Sequence, residues 1–246
     1  MKANRLKHAC KNVVGALALP VIMYVAMMIF CFANNKMYFG SLVMWRSLVG
    51  TIAASATCAY GIGLQFKSGR LDFSAGAVML LSAIVAGNVA QICGNNPFVF
   101  AALCMILCVL LNIGVALVYV YGRLPIIIAT LGMALLYESI TAVVFDGRGV
   151  NLTANVALRQ FSIFPMALIP LVASVLIYAA FSYLSITGRQ AQVLANNQQA
   201  GVNIGINERR NILISYIYSG AILGFATMIY ASTGIINASF ASLSTI

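Results

Sequence analysis

Residues 98–121 read FVFAALCMILCVLLNIGVALVYVY. The stretch carries no charge, and Asn112 is its one strongly polar side chain. A helix rises about 1.5 Å per residue, so about 20 apolar residues cross the roughly 30 Å hydrocarbon core of a bilayer. A helix apolar on every face is stable only inside protein or lipid. The stretch therefore predicts a transmembrane helix, and the rest of the chain repeats the pattern. Further apolar runs lie at 13–32, 44–64, 73–92, 125–145, 163–185 and 212–233. The expectation is an all-α fold, a polytopic transmembrane helical bundle of about seven helices. Gly76, Ser82 and Gly87 weaken the run at 73–92. A broken or partly re-entrant segment is the alternative there, a form tolerated only where protein or water covers the backbone.

Composition agrees with this reading. Of 246 residues, 62% are hydrophobic and 7% charged, where a soluble domain carries about 25% charged residues. The net charge of +10 comes from 14 basic and 4 acidic residues. Most of the basic residues stand between apolar runs. That placement suits topology determinants and anionic membrane lipid better than nucleic acid. With the N-terminus inside, the inner segments hold Lys2, Arg5, Lys7, Lys11, Lys67, Arg70, Arg123, Arg189, Arg209 and Arg210, which is ten. The outer segments hold Lys36, Arg46, Arg148 and Arg159, which is four. The positive-inside rule thus predicts a cytoplasmic N-terminus. MKANRLKHACK followed by an apolar run is signal-like, but residues 13–32 are long enough to span and no cleavage site is evident. We read the run as a retained first helix.

The chain offers little for catalysis. His8 is the only histidine, which leaves a Ser-His-Asp or Cys-His arrangement little to draw on. No GxxxxGK[ST] phosphate loop is present. Four scattered carboxylates are poor material for acid–base chemistry. Cys104 and Cys108 share a helix face, but no histidine or second cysteine pair completes a metal site. The six cysteines (Cys10, Cys31, Cys58, Cys93, Cys104, Cys108) read as small packing residues. No metal, cofactor or enzymatic activity is expected. Gly50, Ala54 and Cys58 form one small-residue stripe, and Gly220 and Gly224 a GxxxG pair. Such stripes let backbones approach closely in lipid. Packing inside one subunit is the first reading, dimerisation the second.

A few polar residues are candidates for the pathway or a conformational switch. Asp72 precedes the third run and reads as its N-cap, with pairing to a nearby arginine as the alternative. Glu138 lies two thirds along the fifth run. An ionisable residue there marks either a lining of the pathway or the outer interface, where water reaches it. Thr130, Gly132 and Asn88 are smaller polar or small positions on helix faces.

Residues 187–210, TGRQAQVLANNQQAGVNIGINERR, form a long polar interruption. The topology above puts it inside. Residues 196–202 suit a short helix, Gly205 a left-handed stop, and Asn207 an N-cap for the last run. Arg209 and Arg210 then fall in a first helical turn, where the dipole disfavours cations. Their placement suits anchoring to lipid phosphate or an acidic partner.

Three stretches together resemble one family: SGRLDFSAGAVMLLSAIVAG at 68–87, YGRLPIIIATLGMALLYESI at 121–140, and the 187–210 segment with its continuation. The chain resembles the membrane permeases of ribose-type ATP-binding cassette importers, the monosaccharide branch of a superfamily that includes branched-chain amino-acid permeases. That family shows a G-x-x-D-L-S-V-G-like segment. A K/R-[IL]-P-x-[FI]-I-A-T-L-G-like segment and a T-x-x-G-R-x-x-x-A-x-G-x-N-x-x-A-A-x-x-S-G-I-N loop follow in the same order. Ala195, Asn196, Gly201 and Ile204 depart from the loop pattern, and Glu138 stands where many members have arginine.

The resemblance implies a permease subunit in the plasma membrane of a prokaryote. Its partners would be an ATPase subunit, a second permease subunit in a homodimer or heterodimer, and an extracytoplasmic solute-binding protein. The cargo would be a small polar solute, a monosaccharide such as ribose first. Nucleosides or branched-chain amino acids are the alternative, a secondary transporter without ATPase is a different class, and a non-transporting scaffold is a third. Residues 1–246 read as one permease domain, incomplete at the C-terminus, since family members continue for about three more helices. Residues 187–210 read as the loop that couples to the ATPase, through Gly188, Arg189, Asn197, Ala200, Gly201, Gly205, Ile206 and Asn207.

Overall fold

The computed structural model describes residues 18–19, 21–34 and 42–238. The basic N-terminal segment with His8 and Cys10, residues 13–17 of the first expected helix, Lys36 and residues 239–246 lie outside the described residues. Two compact units are distinguished, Met1–Arg46 and Ser47–Ile246. In the first, helix α1 (Val21–Ala33) is apolar but short. The Tyr24 and Trp45 rings of this unit lie 5.5 Å apart.

The helices that follow are α2 (Leu42–Lys67), α3 (Ala75–Ile92), α4 (Pro97–Gly122) and α5 (Ile126–Val143). The short α6 (Val156–Arg159) and then α7 (Leu168–Ala179) come next. α7 is prolonged by one wide π turn over Ala180–Leu184. α8 (Ile186–Asn196), α9 (Gln198–Asn203) and α10 (Glu208–Thr233) complete the set. Two short strands, β1 (Val150–Asn151) and β2 (Ile235–Ile236), pair antiparallel with Val150 opposite Ile236.

Among the described residues, five helices are long and apolar enough to cross a membrane. A sixth span arises if Leu168–Leu184 and Ile186–Asn196, bent by 70°, are taken together. The first expected run, 13–32, falls partly outside the described residues and is represented by the short α1. The run at 163–185 does not begin as a helix: residues 160–167 fold as tight turns, and α7 starts only at Leu168. Ser185, with extended φ/ψ of −74° and 135°, breaks the axis again.

The doubt over the third run resolves in favour of one continuous helix. α3 is buried along most of its length, including Gly76, Ser82 and Gly87. Its small and polar residues face neighbouring helices, so lipid never tests their hydropathy. Asn88 Nδ2 donates to the Ile84 and Gly149 carbonyls at 2.8 and 3.0 Å, and Gln91 Nε2 to the Asn151 carbonyl at 2.8 Å. These bonds tie the far end of α3 to the β1 segment. α4 shows the opposite pattern, exposing Phe98, Ile106, Leu110, Leu117 and Tyr121. An outward apolar face suits lipid, where the hydrophobic effect exacts nothing for exposure.

α10 packs along α4 through its glycine pair. A Cβ on Gly220 would sit 2.9 Å from Val109 Cα, and one on Gly224 3.0 Å from Met105 Cα. The GxxxG pair therefore serves helix packing within this chain. On α2, Gly50 abuts the Ser162 carbonyl, and Ala54 and Cys58 join buried clusters. Cys104 and Cys108 are buried in α4, Cys108 Sγ lying 3.2 Å from Thr227 Oγ1. No potential metal-binding cluster occurs among the described residues.

Candidate functional site

Residues 187–210 fold into a compact elbow. α8 buries Gly188, Ala191 and Leu194 at three-residue steps and leaves Arg189 and Asn196 outward. Gly188 abuts the Phe181 carbonyl, so no larger residue fits there. Asn197 Oδ1 accepts the Ala200 N–H at 3.0 Å and starts α9. Gly201 is buried against Leu194. α9 then closes with two bonds, Ile206 N to the Gly201 carbonyl at 3.1 Å and Gly205 N to the Val202 carbonyl at 2.9 Å. With φ of +88° at Gly205, this is a Schellman cap, which favours glycine at its left-handed position. Asn207 Oδ1 accepts the Arg210 N–H at 3.1 Å and caps α10.

The sequence therefore anticipated the short helix, the left-handed stop and the cap. The helix begins two residues later than expected, at Gln198, because Asn197 supplies the capping oxygen.

The elbow is braced on both sides. Gln198 Nε2 donates to Glu208 Oε1 at 2.6 Å, and Asn211 Nδ2 donates to the Thr187 carbonyl at 2.9 Å. A cavity of about 430 Å³ opens between α8 and α10, lined in part by Thr187, Gln190, Gly205, Asn207, Arg210 and Asn211. Outward, α9 presents Ala200, with Val202 48% and Ile204 72% exposed. Val193 and Ile186 on α8 are exposed as well. The sequence reading gave neither Val202 nor Ile204 a contact role; their signal was two apolar residues just before Gly205.

The pathway or switch candidates do not form one constellation. Asp72 lies between α2 and α3, two residues before the N-cap Ser74. Its Oδ1 accepts from Ser74 N at 2.8 Å and Ser74 Oγ at 2.6 Å. It therefore organises the entry to α3 without being the cap itself. The alternative pairing with arginine is not adopted either. Arg70 turns to α10, Nη1 donating to Ser215 Oγ at 2.7 Å and Nη2 to Asn211 Oδ1 at 3.5 Å. Burial raises the pKa of Asp72, opposed by the Ser74 hydrogen bonds. Burial lowers that of Arg70, opposed by Tyr119, Tyr216 and Glu208. Asp72 Oδ2 and the Tyr216 hydroxyl, though neighbours, make no hydrogen bond of good geometry.

On α5, Thr130 is buried with its hydroxyl returned to the Ile126 carbonyl at 2.9 Å. Gly132 is exposed with open space around it. Glu138 is only 2% exposed and is enclosed by neighbouring residues. It also lies about 18 Å along the helix from Ile126, at 1.5 Å per residue. The polar residues that do converge, Arg70, Asn211 and Ser215, escaped the sequence reading. The spacing of Asn211 and Ser215 at i, i+4 in an apolar run was their one local sign.

Spans that expose apolar faces, joined by a capped polar elbow, define a polytopic membrane protein. The chain belongs to the family described as Branched-chain amino acid transport system / permease component, whose model matches residues 44–246. It is similar to the Ribose import permease protein RbsC of Bacillus subtilis (strain 168), with 25% identity over 193 residues, 76% of this chain and 59% of that one. It is also similar to the D-allose transport system permease protein AlsC of Escherichia coli (strain K12), with 27% identity over 186 residues, 72% of this chain and 56% of that one. The chain thus spans less than two thirds of the length of these curated relatives. No solved structure matches.

Proposed function

We propose that this chain forms part of the membrane permease of an ATP-binding cassette importer for a small polar solute, a monosaccharide of the ribose or allose kind. The observation that carries the reading is the capped α8–α9–α10 elbow. It holds Ala200, Val202 and Ile204 outward on a braced helix, as a docking surface for a separate ATPase requires. Gly188, Gly201 and Ile206 set its packing, while Asn197, Gly205 and Asn207 set its turns; Arg189 is exposed beside them. The ten-to-four count of basic residues supports a cytoplasmic elbow, in the plasma membrane of a prokaryote. A second permease subunit and an extracytoplasmic binding protein complete the assembly on this reading. The two sugar-permease relatives favour the solute class.

The family description keeps a branched-chain amino acid as the second reading. The test is uptake by the full protein, co-expressed with an ATPase and a binding protein in cells lacking their own ribose and allose uptake. ATP-dependent entry of labelled ribose or allose is the expected result. Entry of leucine alone would overturn the sugar reading, and uptake without the ATPase would overturn the importer class.

A further inference from the structure

The loop between α2 and α3, residues 68–74, is seated on the elbow at two points. Gly69 has φ of +74°, and a Cβ there would lie 2.9 Å from both Cα and Cβ of Ala195, near the end of α8. Next to it, Arg70 is 6% exposed. Its guanidinium reaches Ser215 Oγ and Asn211 Oδ1 on α10. Asn211 in turn holds the Thr187 carbonyl in the first turn of α8. Arg70 is therefore linked to both arms of the elbow, to α10 directly and to α8 through Asn211.

The same loop is fixed to the bundle. Arg70 N donates to the Gln65 carbonyl at 3.0 Å and Ser68 N to that of Leu64 at 3.2 Å. Two residues on, Asp72 holds the N–H and hydroxyl of Ser74 at the start of α3. α3 is the helix most enclosed by its neighbours among the described spans.

A buried guanidinium is costly without its acceptors. When Asn211 and Ser215 shift, the arginine has to follow them, because leaving them strands a charge inside protein. Its planar fork serves two acceptors at once, which a lysine ammonium does less well. Neutral acceptors let it re-register without breaking an ion pair.

We propose that Arg70 is the positioning residue that carries displacement of the α8–α9–α10 elbow into the 68–74 loop and the start of α3. The proposal rests on the elbow being the ATPase docking element. It adds the receiving end of the stroke.

The experiment uses the full protein with its ATPase and binding protein in proteoliposomes, measuring solute moved per ATP hydrolysed. Arg70→Met is expected to keep hydrolysis within about twofold of wild type while lowering the transport-to-hydrolysis ratio at least tenfold. Arg70→Lys is expected to restore part of that ratio. A purely structural arginine would lower hydrolysis and transport together; an unchanged ratio in Arg70→Met overturns the proposal. If Arg70→Met fails to insert, the Asn211→Leu/Ser215→Ala double variant keeps the arginine and removes its acceptors, and an unchanged ratio there overturns it equally. Ala200→Trp separates the two levels. If it leaves ATPase association intact, the docking reading fails and the Arg70 role falls with it. If it abolishes association while Arg70→Met keeps the wild-type ratio, only the Arg70 role falls.

Discussion

Gly201 lies directly against Leu194: a Cβ added to the glycine would come 2.7 Å from Leu194 Cδ2. This contact folds α9 back on α8 and sets how far the face proposed to dock the ATPase stands out. The nearest atom is the end of a flexible side chain, so Gly201→Ala should be accommodated. The helical gain of alanine over glycine, about 1 kcal/mol, offsets the local crowding. Gly201→Phe should displace α9. Co-purification of the ATPase with each variant is the measurement, with association retained for alanine and lost for phenylalanine.

Gly205 meets nothing within 4 Å of an added Cβ, yet its φ is +88°. The cost of replacement is therefore purely conformational. Gly205→Ala should lose about 1–2 kcal/mol, and Gly205→Asn less, since asparagine visits this region more readily. Thermal unfolding in detergent at fixed pH should rank glycine above asparagine above alanine.

Gly220 makes the opposite case. An added Cβ would meet backbone, Val109 Cα at 2.9 Å and the Cys108 carbonyl at 3.0 Å. Neither can swing aside, so even Gly220→Ala should destabilise by about 1–3 kcal/mol. The same unfolding assay should show this loss, larger than that of Gly205→Asn.

Asp72 should give a pH signature. Burial raises its pKa, so the folded protein holds the proton more tightly than the unfolded chain does. Its contribution is then most favourable at pH below the ordinary carboxylate range and is lost as pH rises towards the folded value. Asp72→Asn keeps an acceptor for Ser74 and removes the titration. Relative to wild type, this variant should gain stability as pH rises from the ordinary carboxylate range towards neutrality. A constant difference across that range would show that the carboxyl does not titrate there.

What could be read in advance follows the range of the interactions. Asn207 and Gly205 were legible because caps and left-handed turns are decided within a few residues. The interrupted α7 was not, because its apolar run has the same composition whether straight or broken at Ser185. Asp72 was placed two residues from its true role, since only the backbone shows that Ser74 occupies the cap. Arg70 was counted as a topology charge. Its partners stand 141 and 145 positions away, and no local pattern announces them. The β1–β2 pair was likewise invisible, being two residues long on each side.

The enclosure of α3 also bears on how the chain is made. α3 ends at Ile92, while α10, against which it packs, begins at Glu208. At about 5–20 residues per second, synthesis of the intervening segment takes roughly 6–23 s. During that interval α4 and α5 already stand beside α3, and only its α10-facing side is uncovered. Ala75 and Met79, which α10 covers in the finished bundle, wait for it through the whole interval, and variants that lengthen the delay should be lost to membrane quality control rather than fail in transport.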